Sequence, residues 1–193
     1  LPENILKIAN LVERRFKLHV VPMKSTKDLK PYAREVFQLV NETYAELYGV
    51  VELSQRQIDY YVKMYFSMIR VDFITLIANE QNKLVGFGIS MPSLSKALQK
   101  ANGSLFPFGF IKFLYYKKKI NRIRFFVLFV DPKYRNKGVS SGIYLYSYIA
   151  AQKKGYNFVE GSTIWEYNDP MILDIEKYGG IRYKTYRIYK KEI

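Results

Sequence analysis

The chain is best entered at Phe125-Phe126-Val127-Leu128-Phe129-Val130-Asp131-Pro132-Lys133-Tyr134-Arg135-Asn136-Lys137-Gly138-Val139-Ser140-Ser141. Behind Arg124, the residues up to Val130 form an unbroken apolar run, the pattern of a buried strand. Asp131-Pro132 stops it. From Val139 onward Val139, Ile143, Tyr146, Ile149 and Ala150 recur at helical spacing, and Gly155 ends that helix. Between strand and helix lies a basic turn whose single glycine, Gly138, lets the backbone approach a ligand closely. The first N–H groups of the helix lack intrahelical partners and carry the positive end of its dipole. Such a terminus suits a diphosphate. Arg135 and Lys137 add charge there, and Ser140 and Ser141 add hydroxyl donors. The pattern Arg/Gln-x-x-Gly-x-Gly/Ala/Ser, met here as Arg135 to Ser140, is expected by chance about 0.3 times in a chain of this length. Its weight therefore comes from its place between a strong strand and a strong helix.

Working outward from this segment, Pro2 to Arg15 reads as a helix with Ile5, Ile8, Leu11 and Val12 on one face, and Phe16 to Met23 as extended. Ser25 or Thr26 caps a helix predicted to run to about Tyr48, with Leu29, Val36, Leu39, Val40, Tyr44 and Leu47 inward and Gly49 at its end. Ser54 opens another helix. Two strands, Phe73 to Asn79 and Leu84 to Ser90, are joined by the polar turn Glu80-Gln81-Asn82-Lys83. Leu94 to Ala101 reads as a short helix, and Leu105 to Ile120 is an aromatic insertion closed by Lys117-Lys118-Lys119. After the central strand and helix come a strand at Asn157 to Ile164, a helix at Pro170 to Tyr178 and a final strand at Ile181 to Lys190. The order β-α-α-β-β-insert-β-α-β-α-β predicts an α/β layer, antiparallel first and with a strand-helix-strand crossover later.

Composition narrows the chemistry. The 193 residues suffice for one domain with a full core, 49% of them hydrophobic. Cysteine is absent, which excludes disulfides, thiolate zinc sites and cysteine nucleophiles. The single histidine, His19, leaves no room for a histidine metal cluster and little for a Ser-His-Asp triad. A net charge of +14 favours anionic partners: the phosphates of a nucleotide cofactor, nucleic acid or acidic lipid. No run reaches the roughly 18 apolar residues of a membrane helix, and a cytoplasmic protein is expected. The chain opens on Leu1, so an upstream domain of a longer protein is expected. Residues 1–15 are read as an N-terminal helix, a remnant of a linker or of the upstream domain, and 16–193 as the working domain.

The segment from Arg124 to Gly180 resembles the GNAT superfamily of acyl-CoA N-acyltransferases, and the element order from Phe16 to Tyr189 matches it. The resemblance implies a mixed, splayed central sheet flanked by helices, with acetyl-CoA or another acyl-CoA as co-substrate and no metal. The cofactor would bind the backbone of Leu128, Phe129 and Val130. Its diphosphate would meet Arg135, Asn136, Lys137, Gly138, Val139, Ser140 and Ser141. Asn168, ahead of Pro170 to Tyr178 and Gly179-Gly180, looks like the family's asparagine that contacts the pantetheine arm, although a helix cap is an equal reading of it. Many members carry a tyrosine acid seven residues after that asparagine; Ile175 stands here, with Tyr178 one turn on. Glu160 and Glu166 are the candidate bases, because an amine acceptor must lose a proton. The N–H of Val130 is the expected donor to the thioester carbonyl.

The expected reaction is acyl transfer, most simply of an acetyl group, from coenzyme A to an amine. Two rivals stand beside it. One is a silent acyl-CoA-binding module, favoured by Ile175. The other is a basic protein of the membrane surface or of nucleic acid. The insertion Leu105 to Lys119 reads as a helix or strand packed on its own core, as a lid over the acceptor groove, or as an anchor on anionic lipid. The abundant tyrosines would suit RNA stacking, but no RNA-binding motif appears.

Overall fold

The computed structural model describes residues 3–44, 51–66, 70–189 and 191. It divides into a body of Glu3–Ser162 and a smaller unit that begins at Thr163.

In the body, helix α1 (Glu3–Phe16) leads into a two-residue strand β1 (His19–Val20). Pro31 cannot donate a backbone bond, and the long helix expected after Ser25 is accordingly broken. It becomes α2 (Thr26–Leu29), a 3-10 turn at Lys30–Tyr32 and α3 (Ala33–Tyr44). Leu47 and Gly49 lie outside the described residues. The inner stripe is otherwise as expected: Leu29 and Leu39 are buried, with Val36, Val40 and Tyr44 packed against the same cluster. Helix α4 (Gln55–Phe66) begins after Ser54, whose carbonyl accepts from the Ile58 N–H.

Strands β2 (Ile74–Ala78) and β3 (Leu84–Pro92) pair antiparallel across the predicted turn, where Asn79 Oδ1 accepts from the N–H groups of Gln81 and Lys83. Helices α5 (Ser95–Lys100) and α6 (Gly109–Lys117) form the excursion before strand β4 (Arg122–Val130). Helix α7 (Val139–Lys153) crosses over to strand β5 (Phe158–Gly161), which pairs parallel with β4. The sheet order is β1-β2-β3-β4-β5.

Helices cover the sheet on both sides, so β2 is buried throughout. One core joins Leu29 and Leu39 to Leu76, Phe87 and Phe129; Phe87 and Phe129 stack at 4.8 Å. The other joins Val139 and Ile143 of α7 to Ile77, Val85 and Phe125. Thr75 and Ser147, both buried, share a hydrogen bond of 3.1 Å between β2 and α7.

Three sequence expectations are corrected. The stretch from Phe16 to Met23 is mostly not strand, because α1 runs through Phe16 and pairing is confined to His19–Val20. The inward face of α1 is Ala9, Val12 and Phe16, while Leu11 is turned to solvent. The final strand at Ile181 to Lys190 does not form over residues 181–189, which have no regular structure. Its alternating Tyr and Lys/Arg suit an edge strand but offer no continuous apolar face to bury, and Ile181, Ile188 and Tyr189 stay exposed. In the C-terminal unit, α8 (Asp169–Lys177) is closed by Gly179 at φ 80°. The Gly180 N–H reaches the Ile175 carbonyl at 2.9 Å and the Gly179 N–H the Glu176 carbonyl at 2.9 Å, a Schellman closure.

Candidate functional site

The site starts with a fault in the ladder. Strands β3 and β4 pair Gly86 with Val130 and Ile89 with Val127, but then Ser90 with Phe125, so Phe126 is an extra residue on β4. Side chains alternate faces along a strand, and the extra residue resets that alternation. Phe125 packs toward α7, whereas Val127 and Phe129 pack toward α3.

The same reset turns the backbone. The Asp131 N–H donates to Val85 O at 2.8 Å, which marks these two as a hydrogen-bonded pair. Counting back in twos, Phe129 and Val127 also turn their backbone groups to β3. Leu128 and Val130 turn theirs the other way. On that side β5 pairs only with Arg122 to Phe125, and among the described residues no strand continues the pairing beyond Phe125. Strand β4 therefore presents the N–H and C=O groups of Leu128 and Val130 along an open edge. Of the three backbone positions expected to hold a thioester arm, Phe129 is the one whose groups are already taken up in the sheet.

The edge runs directly into the basic turn. Asp131 Oδ1 accepts from the Lys133 N–H at 2.8 Å and starts a 3-10 turn at Pro132–Tyr134. Asn136 (φ 58°) and Gly138 (φ 80°) are both left-handed, one on each side of Lys137. Turns of this kind gather backbone N–H groups into an anion-binding concavity. The amides of Tyr134, Arg135 and Ser141 are bonded to Asp131, Pro132 and Gly138 carbonyls. This leaves the turn itself, residues 136–139, to supply backbone donors to a diphosphate. Arg135, Asn136 and Lys137 are exposed, and Ser140 is half-buried. Ser141 is buried, so its hydroxyl does not extend into the turn.

Gly138 is needed for a reason other than close approach of a ligand. A Cβ there would stand 2.9 Å from Val12 Cγ2 and 3.5 Å from Ile8 Cγ2, so the glycine lets α1 seat against the turn. Helix α1 also supplies Phe16, whose ring carries Lys137 Nζ at 5.4 Å on its face, with Tyr134 at 5.3 Å from the same ammonium. Two aromatic rings thus hold the lysine in place at the turn. A cavity of about 520 Å³ opens here, lined by Leu11, Arg15 and Phe16 of α1 together with Asn136 and Lys137. Neither Arg15 nor Phe16 stands out from sequence alone, since only the fold brings α1 to residue 137. The pair Arg14-Arg15 in the last turn of a helix was the available signal.

At the base of the open edge, Glu160 of β5 is 8% exposed. Its Oε1 accepts from Arg124 Nη2 at 2.9 Å and its Oε2 from Ser93 Oγ at 3.2 Å. Both oxygens of this candidate base are therefore held by protein groups, which makes Glu160 first of all the anchor of Arg124. Arg124 Nε is buried without a hydrogen-bond partner among the described residues. Beside it lies a cleft of about 140 Å³, lined by Met91, Pro92, Ser93, Leu94, Ser95, Leu98, Arg124 and Phe126. This is a mainly apolar recess with two serines and one cationic group at its wall.

In the C-terminal unit, Asn168 caps α8, its Oδ1 accepting from the Met171 N–H at 3.4 Å. Glu166 is exposed and faces Arg187 at 3.8 Å. Tyr178 is the half-buried C-cap of α8.

A strand with an open edge, a left-handed basic turn and a helix starting on that turn belong to a fold shared with solved acetyltransferases. Among solved structures, the aminoglycoside N-acetyltransferase AAC(6')-Iy in complex with CoA superposes with a TM-score of 0.58 at 12% identity, over 91% of this chain and 95% of that one. Among curated proteins, a bacterial ceramide synthase of Caulobacter vibrioides (strain NA1000 / CB15N) is 26% identical over 178 residues, 86% of this chain and 45% of its own length. Protein YghO of Escherichia coli (strain K12) is 24% identical over 193 residues, 97% of this chain and 48% of its own. The chain spans about half the length of the curated relatives it matches. No family model matches it.

Proposed function

We propose that this chain transfers an acyl group from acyl-CoA to an amine, and that the amine belongs to a long-chain, lipid-like acceptor. The observation that carries the first half is the open edge at Leu128 and Val130 running unbroken into the turn at residues 135–139. Laid along that edge, a pantetheine arm would pair with the exposed backbone groups as a further strand would, and the diphosphate would fall at the N-terminal end of α7. Solved structures of this fold include one in complex with CoA. In this reading the Val130 N–H donates to the thioester carbonyl oxygen as negative charge builds on it. The neutral amine attacks the carbonyl carbon, a C–N bond forms and the C–S bond breaks. CoA leaves as thiolate, and the ammonium proton passes to water or to a carboxylate.

A thiol with an ordinary pKa of about 8.5 leaves as thiolate without obligatory protonation, so Ile175 in the place of a tyrosine acid does not forbid turnover. Glu160, Glu166 and Tyr178 remain the candidates for proton transfer.

The second half rests on the apolar recess of Met91, Leu98 and Phe126 beside Arg124, which fits an amphipathic acceptor with its tail on the apolar wall and a polar oxygen on the guanidinium. The likeness to a ceramide synthase supports it. We place the reaction in the cytoplasm.

The test is release of free CoA thiol from acetyl-CoA and palmitoyl-CoA in the presence of amines of rising chain length. Turnover should rise with chain length of the amine. Thermal stabilisation by acyl-CoA without thiol release for any amine would favour the silent binding module. No stabilisation at millimolar acyl-CoA would remove the site assignment altogether.

A further inference from the structure

The excursion between β3 and β4 carries a surface that the acyl-transfer reading leaves unexplained. Gly109, Phe113 and Tyr116 lie at helical spacing on α6 and turn toward α5; a Cβ at Gly109 would run into the Ser104 carbonyl. The rest of the segment is turned out. Phe106 is 86% exposed and Phe108 70%, and Phe110, Ile111, Leu114 and Tyr115 are each about half exposed. A helix packed on its own core would have hidden these side chains. Isolated exposed apolar residues are ordinary, but a contiguous group of this size marks a contact surface.

Charge identifies what that surface meets. From Gln81 to Val130 the sequence contains no Asp or Glu, while it carries Lys83, Lys96, Lys100, Lys112, Lys117, Lys118, Lys119, Arg122 and Arg124. Lys112 and Lys117 to Lys119 are exposed alongside the aromatic crown. Lys119 Nζ lies 4.2 Å from the Tyr115 ring centroid and donates to the Tyr115 hydroxyl at 2.6 Å, which ties the cationic rim to the apolar face. Apolar and aromatic side chains ringed by lysines, with no acidic group in the surrounding sequence, are the chemistry of a peripheral contact with an anionic bilayer. None of the described helices is long and apolar enough to cross a membrane.

We propose that the α5–α6 excursion is an interfacial anchor that sets the protein on an anionic membrane, Phe106, Phe108 and the outer face of α6 entering the headgroup layer and Lys112 and Lys117 to Lys119 meeting lipid phosphates. The anchor adjoins the recess beside β4. Leu98, exposed on α5, lines that recess with Met91, Phe126 and Arg124. Leu98 thus sets the recess beside the excursion, within reach of an acceptor resident in the bilayer. Docking stands on its own; delivery of the acceptor rests on the acyl transfer proposed above.

Flotation with vesicles of phosphatidylcholine, with and without phosphatidylglycerol, tests the docking with no acyl-CoA present. The protein should float with the anionic vesicles and remain below with the neutral ones. The triple variant Lys117→Glu, Lys118→Glu, Lys119→Glu should weaken partitioning on the order of a hundredfold. Phe106→Ser with Phe108→Ser should weaken it with the charge unchanged. All these side chains are exposed, so the variants keep the fold, which unchanged thermal unfolding would verify. Absence of flotation at low salt, or flotation indifferent to both variants, overturns the proposal. So does a concentration-dependent dimer abolished by the same substitutions, which would assign the face to a second copy. For delivery, the variants should lose turnover of a vesicle-resident amine and keep that of a short soluble amine; equal loss of both overturns it. If the unaltered protein floats yet turns over neither amine, the docking survives and the acyltransferase reading falls.

Discussion

At Gly138 two demands meet in one residue: a left-handed backbone at φ 80° and a helix packed where a side chain would be. Gly138→Ala should cost about 1–2 kcal/mol for the conformation alone. Displacement of Val12 adds to that, and affinity for acyl-CoA should fall with it. Calorimetric unfolding together with titration of acetyl-CoA reads both, and unchanged values would show that α1 gives way freely. Val130 and Phe129 offer a sharper comparison, because they are neighbours with oppositely directed amides. Val130→Pro removes an N–H that no sheet partner uses, so the protein should remain folded while kcat falls on the order of 10²-fold, the usual cost of one oxyanion donor. Phe129→Pro removes a ladder bond and should lower Tm instead. Turnover undiminished in Val130→Pro would mean that the thioester carbonyl lies elsewhere. The sequence reached this level only in part. Val130 was legible as the residue before the stop at Asp131-Pro132, but Glu160 was legible only as a candidate base, because its partners, Arg124 and Ser93, lie 36 and 67 residues away.

Among the elements, α7 makes the most of its contacts through small residues. A Cβ on Gly88 would collide with Ile143 Cγ2 and stand 3.0 Å from Phe125 Cζ, so the helix rests on bare backbone at β3. Gly88→Ala should destabilise by about 1–3 kcal/mol through overpacking, measured by denaturant unfolding. The other side of α7 holds α1, where the Tyr146 hydroxyl donates to Glu13 Oε1 at 2.8 Å. Burial, and after it that bond to Glu13, pushes the Tyr146 phenol up to about 12 from the ordinary 10.0. The folded state therefore favours the neutral phenol. The stability it contributes is complete below the unfolded pKa of about 10 and is lost as pH rises through about 12. The excess of Tm over a Tyr146→Phe variant should shrink across that window; a constant difference would mean the contact is absent in solution. Helix α7 and strand β4 were legible from their own periodicity, whereas the single helix expected to run to Tyr48 overlooks the break that Pro31 imposes. The irregular course of 181–189 was not legible either, since alternation of Tyr with Lys/Arg describes a pairing edge without supplying an apolar face to drive it.

For the whole molecule, the decisive quantity is where the charge sits, and the excess of +14 is uneven. The residue total pointed to anionic partners without choosing one, because composition carries no direction. The fold chooses by carrying the acid-free stretch out on α5 and α6 and by setting a second basic feature, Arg135 to Lys137, at the start of α7. One anionic ligand at each place is the economical reading, a diphosphate at the turn and a bilayer at the excursion. What joins these to the reaction is the single surplus residue Phe126. Deleting Phe126 would leave Val127 opposite Ile89 and Phe125 opposite Ser90 as consecutive residues, so the ladder would run evenly with the outward amides of Leu128 and Val130 unchanged, and the recess beside Arg124 would lose one wall. Between Val127 and Val130 the count matters more than the identities, because losing one residue there carries a neighbour's side chain to the other layer and its amide to the other edge. A one-residue deletion in that stretch should therefore do more harm than substitution of any single apolar residue in it.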